Sequence, residues 1–328
     1  MHTLPTIMFA MAKDLHSGIL GLKRHDETNK EWGETLKARV QTALNTHVTK
    51  LVEEQSLNLY LLDMPYIAGK GSGRGGGQDV ITAQKFIPYG ENPISEDALV
   101  TDARIIERLT VSETEKRTYC LIDIIDGTWN ASCGLLFSCS TMLAFTPSLM
   151  KQPGDLTLAD FHSGFILPYH GPGLYVGQFQ TPTLLLSWDG GSQQLQMSPV
   201  TDVSKARVIL DLFTEENKDA LAQAILSIGP VMYDWCDYGR FYGAGAEIAA
   251  LFGYRNLVPG FAAYVAASQK MDNIVPTYAV VVGAGGIVTD WWGDPIKTKK
   301  LSESVHIIMA ANKTLHAHLV QHLSKHPR

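Results

Sequence analysis

The segment from Asp123 to Thr128, Asp-Ile-Ile-Asp-Gly-Thr, has residue types and a spacing that could bind a metal ion and an anion. Asp123 lies within an apolar, strand-like run over residues 119–125, and Asp126 follows that run directly. Their carboxylates would repel each other, and a divalent cation between them would remove that repulsion. Gly127 and Thr128 stand at a predicted helix start, where backbone amides favour a phosphate. The alternative is a strand that ends in an Asx-turn and a helix cap, and this segment alone does not decide between the two.

Two other acidic positions lie upstream and downstream of this segment. Glu96 is followed directly by Asp97 within ENPISEDALVTD, and such a pair taken alone is typical of a solvated turn. Asp272 precedes a long apolar stretch that predicts a helix, and a lone aspartate at such a place is most often an N-cap. Each position is weak evidence by itself.

The combination of these segments resembles the inositol monophosphatase family. That family belongs to the superfamily of lithium-sensitive, magnesium-dependent phosphatases, which includes the fructose bisphosphatases. The shared pattern is the acidic pair, DxxDGT, an aspartate before an apolar helix, and AGGIVTDWWGDP at 284–295. RFYGAGAEIAALFG at 240–253 resembles the family's Arg-x-x-Gly-Ser-Ala-Ala helix start, and PYHGPGLYVGQ at 168–178 resembles its hairpin. The resemblance covers most of the chain from residue 94 to residue 322.

The resemblance implies a set of metal ligands. Glu96 would bind metal and help to activate a water molecule. Asp123 and Asp126 would be metal ligands, and the carbonyl of Ile125 would complete the shell of one metal. Asp272 would bind a second metal near the leaving oxygen.

The resemblance also implies residues that contact water and substrate. The hydroxyl of Thr128 would orient the water, and the amides of Gly127 and Thr128 would hold the phosphate. The segment around Arg240, with Gly243 and Ala244, would contribute to substrate binding.

The implied activity is magnesium-dependent hydrolysis of a small phosphomonoester, similar to inositol monophosphate, by metal-activated water. Two or more Mg²⁺ ions would take part, Mn²⁺ would substitute for them, and Li⁺ would inhibit. The family is also expected to form homodimers. Within the superfamily, histidinol phosphate, a sugar bisphosphate and a 3′-phosphonucleotide remain open as substrates. The alternative from another class is a non-catalytic homologue that acts as a binding or regulatory protein.

Several positions depart from the family pattern and motivate that alternative. Ile124 replaces the family's proline, and Lys85 stands where the upstream Thr-x-x-Asp motif has its aspartate. The usual Trp-Asp of the third motif is Met271-Asp272, and the neighbouring Asn273 could occupy the ligand position instead. The N-terminal 90 residues also match the family poorly, with 57–93 predicted to be an insertion or a rebuilt loop. Retention of the other motif residues favours catalysis.

Composition limits the partners. With a net charge of −6, the chain has no electrostatic basis for binding duplex nucleic acid or an anionic membrane. No stretch approaches the length of a membrane span, and four cysteines without a CxxC pair favour a cytoplasmic protein. No HExxH motif is present, and we interpret the histidines in the C-terminal stretch as core or surface residues; they are His306, His316, His318 and His322.

The element pattern predicts an α/β fold, a layered sandwich of the αβαβα type. Residues 1–195 are predicted to form an N-terminal α+β domain with a largely antiparallel sheet and the acidic metal motif. Residues 196–328 are predicted to form a C-terminal domain with a mixed α/β layer that carries Asp272. We expect helices over 4–24, 34–54 and 215–228, and a strand over 135–145. The metals are expected between the two halves.

Overall fold

The computed structural model describes most of the chain. The described residues are 4–20, 29–63, 82–85, 115–127, 130–131, 136–211, 218–235, 237–239, 243–253 and 261–327. Glu96, Thr128, Arg240 and the glycine-rich stretch at 68–79 lie outside them.

The described residues of the first half of the chain include two α-helices and an eight-stranded sheet. The helices are α1 (Leu4–Leu20) and α2 (Asn29–Gln55). The strands are β1 (Leu59–Asp63), β2 (Thr82–Lys85), β3 (Thr118–Asp126), β4 (Ser140–Phe145), β5 (Ser163–Pro168), β6 (Gly173–Gln178), β7 (Leu184–Ser187) and β8 (Ser192–Gln194). Their order is β2-β1-β3-β4-β5-β6-β7-β8, with β1 and β3 parallel and the other neighbours antiparallel. The prediction of a largely antiparallel first sheet is confirmed.

In the second half, the part of the chain that the structure describes includes a five-stranded mixed sheet and four α-helices. The strands are β9 (Arg207–Asp211), β10 (Asp237–Gly239), β11 (Ala263–Lys270), β12 (Ile287–Asp290) and β13 (Ser304–Ala310), in the order β10-β9-β11-β13-β12. The helices are α3 (Lys218–Asp234), α4 (Ala244–Ala250), α5 (Met271–Gly283) and α6 (Lys313–Leu323). Strands β9, β10 and β11 run parallel, while β12 and β13 pair antiparallel, which confirms the predicted mixed layer.

The central strands of the first sheet are covered on both faces, so they carry apolar side chains on both sides. Leu143 and Phe165 pack on one face with residues of α1 and α2. Met142 and Ile166 pack on the other face, in a core that continues into α5 and the second sheet. The result is the predicted αβαβα layering.

Helix α5 lies directly on the first sheet because two strand glycines leave room for its backbone. A Cβ on Gly164 would lie 2.0 Å from the carbonyl oxygen of Pro276, and a Cβ on Gly177 would lie 2.3 Å from the amide nitrogen of Val280. Real Cβ atoms do not approach so closely, so any side chain here would push α5 away from β5 and β6. Helix α5, which has Asp272 in its first turn, is thereby fixed against the sheet that carries Asp123.

Two predicted elements differ from the structure. The strand predicted over 135–145 begins at Ser140, because residues Leu136–Ser138 form a short 3₁₀ helix that the amide of Cys139 closes on the carbonyl of Leu136 at 3.1 Å. The helix predicted over 215–228 continues through Pro230 to Asp234. A proline leaves one carbonyl of the preceding turn without its partner, and the neighbouring Leu226 is 70% exposed, so water can satisfy that surface.

None of the helices in the described residues has the length and apolar character needed to cross a membrane.

Candidate active site

A β-bulge at the end of β3 determines where the two motif aspartates point. Asp123 pairs with Met142 and Asp126 with Ser140, so β3 takes three steps where β4 takes two. In a regular strand, residues three apart point to opposite faces. The extra residue of a bulge reverses that alternation, so both carboxylates come to the face that packs on α4 and α5.

Asp126 is held by donors from both halves of the chain. Its Oδ2 accepts hydrogen bonds from the hydroxyl of Ser140 at 2.9 Å and from the amide of Gly245 at 2.7 Å, and its Oδ1 accepts from the amide of Ala244 at 3.1 Å. Both amides belong to the start of α4, where the helix end favours a negative charge. Asp126 is therefore a fixed carboxylate that joins β3 to α4.

Two glycines let α4 approach Asp126 so closely. A Cβ on Gly243 would lie 2.3 Å from the carbonyl oxygen of Ser138, and a Cβ on Gly245 would lie 2.2 Å from the hydroxyl oxygen of Ser140. The structure thus places the sequence-predicted residues Gly243 and Ala244 beside Asp126, with the amide of Ala244 engaged by that carboxylate.

Gly127 turns the chain from the strand into a helical turn. Its φ of +81° lies in the left-handed region, which favours glycine. Its carbonyl accepts a hydrogen bond from the amide of Ala131 at 3.0 Å, as in the first turn of a helix. Ile125, whose carbonyl the resemblance assigns to a metal, is buried on the α1 and α2 side.

Asp272 occupies the first turn of α5, and a second β-bulge precedes it. The pairing of β11 with β13 shifts between Ala266 and Gln269, and Ser268 has a φ of +50°. Asp272 Oδ1 accepts from the amide of Asn273 at 2.9 Å. The Asn273 side chain points elsewhere, since its Nδ2 donates to Gln269 Oε1 at 2.7 Å. This geometry favours Asp272 over Asn273 as the ligand.

The three aspartates, here called the acidic centre, influence one another electrostatically. Burial, the charge of Asp126 and the charge of Asp272 raise the pKa of Asp123 well above its usual value. Burial raises the pKa of Asp126 against the effect of its three donors, and burial also raises the pKa of Asp272. Three crowded carboxylates are unstable as anions unless a positive charge compensates them.

The donor set of the acidic centre fits a hard divalent cation. Carboxylate oxygens are the ligands that Mg²⁺ prefers, and a cation would stabilise the charged form of three carboxyl groups whose pKa values burial raises. Within the described residues, the acidic centre does not bring one oxygen from each aspartate within 4.8 Å of the other two. Carboxylates this far apart fit two metal ions that share the ligands between them better than one ion bound by all three.

A buried polar chain that sequence reasoning missed supports the start of α5. Gln269 Nε2 donates to Asp211 Oδ2 at 2.9 Å and to the hydroxyl oxygen of Tyr264 at 2.8 Å, while its Oε1 holds Asn273. Gln269 and Asp211 are buried. The sequence alone does not predict this role for Gln269, because its partner Asp211 is distant in sequence and lies on another strand.

No protein-family model and no curated protein sequence matches this chain. Solved structures do match its fold. The extragenic suppressor protein SuhB from Bartonella henselae matches with a TM-score of 0.58 at 15% identity, over 98% of this chain and 99% of that chain. Inositol monophosphatase from Zymomonas mobilis matches with a TM-score of 0.56 at 16% identity, over 97% and 94%. Inositol monophosphatase-II from Staphylococcus aureus matches with a TM-score of 0.60 at 12% identity, over 98% and 96%.

The fold is that of the inositol monophosphatase family. Because the likeness spans nearly the whole chain, α1 and α2 lie within the shared fold, although the N-terminal 90 residues match the family's motifs poorly.

Proposed function

We propose that this protein is a metal-dependent phosphatase that hydrolyses a small phosphomonoester. The observation that carries the proposal is the acidic centre, which two bulged strand ends assemble from both halves of the chain, inside a fold shared with inositol monophosphatases. A scaffold without catalytic use gains nothing from three carboxylates held where partial or full burial raises their pKa values.

Two or more Mg²⁺ ions would be held by Asp123, Asp126 and Asp272, with Glu96 and the Ile125 carbonyl as further ligands. When bound, such ions neutralise phosphoryl oxygens and stabilise the developing charge on the leaving oxygen. Mn²⁺ is expected to substitute, and Li⁺ to inhibit.

The chain's own residues would provide binding and orientation. Asp126 is immobilised by Ser140 and the start of α4, so it cannot turn away to solvent. The chain turns at Gly127, and the amides of Gly127 and Thr128 would hold the phosphate. The hydroxyl of Thr128 would orient the attacking water. Displacement would be in line, without a covalent intermediate.

The substrate we propose first is a monoester similar to inositol monophosphate. SaIMPase-II, which shares the fold with a TM-score of 0.59, has been solved with inositol monophosphate bound, and a second structure of it holds 2′-AMP with a TM-score of 0.56. Both ligands are small phosphorylated metabolites. We therefore keep a nucleotide monoester, histidinol phosphate and a sugar bisphosphate in the test. Arg240 and the neighbouring Gly243 and Ala244 are the proposed substrate-side residues, and a homodimer is the proposed assembly.

The test is phosphate release from a panel of monoesters with Mg²⁺, with Mn²⁺ and with EDTA. The panel contains inositol monophosphate, histidinol phosphate, fructose bisphosphate, 2′-AMP and adenosine 3′,5′-bisphosphate. We expect release that requires the metal, and the best substrate defines the branch. Folded protein that releases no phosphate from any of them, with either metal, would refute the proposal and favour a binding protein that has kept the fold.

A further inference from the structure

A second group of potential metal ligands lies on the outer helices of the second half. Asp234 ends α3, while His318 and His322 lie one turn apart on α6. Asp234 Oδ2 lies 3.2 Å from His318 Nε2 and 3.3 Å from His322 Nε2. We call these three residues the histidine cluster.

The spacing of the histidine cluster fits a tetrahedral metal. Ligands at about 2.0–2.1 Å around a tetrahedral Zn²⁺ stand roughly 3.3 Å from one another. The two nitrogen-to-oxygen distances agree with that edge, and the third pair of ligand atoms lies within 4.8 Å. Since residues four apart on a helix share one face, both imidazoles reach the same point without distortion of α6.

The donor types separate this cluster from the acidic centre. Two imidazole nitrogens and one carboxylate oxygen suit a borderline transition metal such as Zn²⁺, whereas Mg²⁺ prefers oxygen ligands alone. The side chains of His318, His322 and Asp234 are 22%, 17% and 37% exposed. Solvent can therefore reach the cluster and supply a fourth ligand.

The alternative is a pair of simple histidine–aspartate hydrogen bonds. Trp235 Nε1 donates to His318 Nδ1 at 3.4 Å, which leaves the proton of a neutral imidazole on Nε2. That contact is long and weak, so moving the proton to Nδ1 and freeing Nε2 for a metal costs little. In the described part of the structure, Nδ1 of His322 is buried and has no hydrogen-bond partner, so no contact there fixes its tautomer.

We propose that Asp234, His318 and His322 bind Zn²⁺, or a divalent transition metal of similar preference, and that the ion ties the end of α3 to α6. The two helices are distant in sequence but pack together, since Ile228 of α3 and Leu319 of α6 share the core. A bound ion adds a cross-link between them that exists only in the folded chain. The site is independent of phosphatase activity.

The experiment titrates Zn²⁺ into chelator-treated, untagged, full-length protein, by calorimetry and by thermal unfolding. Excess Mg²⁺ is present, and Asp123→Asn is measured beside the natural sequence, so that zinc in the acidic centre is recognised. We expect one strong zinc site in both proteins. We also expect a rise in Tm of roughly 5 °C when zinc exceeds its Kd a hundredfold.

His322→Ala and Asp234→Asn should each weaken zinc binding by at least tenfold and remove most of the rise in Tm. Asp234→Asn keeps the side-chain shape, so it remains informative if the histidine variant folds poorly. The matched control is His47→Ala, because His47 also contacts an aspartate, Asp14 at 2.7 Å, but that pair is not part of a three-ligand cluster in the described residues. Zinc affinity that is absent in the natural sequence, or unchanged in both cluster variants, would overturn the proposal.

Discussion

The acidic centre and the histidine cluster contain three ionisable side chains each, but the chain builds them in different ways. The acidic centre depends on two irregular strand ends and on α4, and its donors are carboxylates that burial makes unstable as anions. The histidine cluster depends on regular α-helical spacing and lies at the surface. The first arrangement suits a hard ion that takes part in chemistry, and the second suits a borderline ion that stabilises the fold.

The largest effect is expected from Asp123→Asn. It removes a carboxylate that burial and two neighbouring charges already destabilise, and with it the proposed metal affinity. Metal-dependent phosphate release should fall by at least about 100-fold while zinc binding at the histidine cluster stays unchanged. The control is Asp189→Asn in an exposed turn, which should leave release unchanged. If Asp123→Asn and Asp189→Asn release phosphate at the same rate, the acidic centre does not take part in the reaction.

Substitutions in the first turn of α5 should show which side chain belongs to the acidic centre. Asp272→Asn should lower phosphate release by about 100-fold, because a neutral amide is a poorer Mg²⁺ ligand than a carboxylate. Asn273→Ala should lower it by about tenfold or less, through the loss of its bond to Gln269. Steady-state rates at several Mg²⁺ concentrations distinguish them. The reverse order would move the ligand to Asn273.

Gly177→Ala tests how far the acidic centre and the histidine cluster depend on the packing of α5. The new methyl group would meet the backbone of Val280, so the native state should lose about 3 kcal/mol or more. Where the variant still folds, activity should fall more than zinc affinity, because α5 carries Asp272 but none of the histidine cluster. Gly18→Ala is the control, since a Cβ there meets nothing within 4 Å. Urea unfolding measures the difference, and a variant as stable as the control would contradict this account of the packing.

The smallest effect is expected from Mg²⁺ alone. It should raise the Tm of the natural sequence by about 2–5 °C, because a ligand selective for the native state stabilises it. Asp123→Asn should lose this rise, while His322→Ala should keep it. Scanning calorimetry with Mg²⁺ and with EDTA checks both. A rise that survives in Asp123→Asn would place the magnesium elsewhere.

Sequence patterns predicted the layered fold and located the aspartates of the acidic centre on the right elements. They did not predict how Asp123 and Asp126 reach one face, because a regular strand places them on opposite faces and a bulge depends on pairing with β4. The roles predicted for Glu96, Thr128 and Arg240 stay predictions, since these residues lie outside the described part of the chain.

The histidine cluster shows a different limit. The spacing of His318 and His322 is visible in the sequence. The predicted helix ends before Gly229 and Pro230, so the sequence does not predict that Asp234 lies on a helix beside them. The structure continues α3 to Asp234 and brings it to α6. Local propensity therefore failed where tertiary packing carried a helix through a proline.

The position of α5 also has a consequence for the order of events during synthesis. Helix α5 covers the sheet face formed by β5 and β6, with Pro276 against Gly164 and Val280 against Gly177. The ribosome synthesises α5 about a hundred residues after these two strands. Before α5 is synthesised, apolar side chains on this face, such as Ile166 and Tyr175, have no helix to cover them. Exposed apolar surface of this kind makes a nascent chain prone to aggregation and a substrate for chaperones. The same delay keeps Asp123 and Asp126 from meeting Asp272, so the centre proposed for catalysis assembles only after nearly the whole chain has been made.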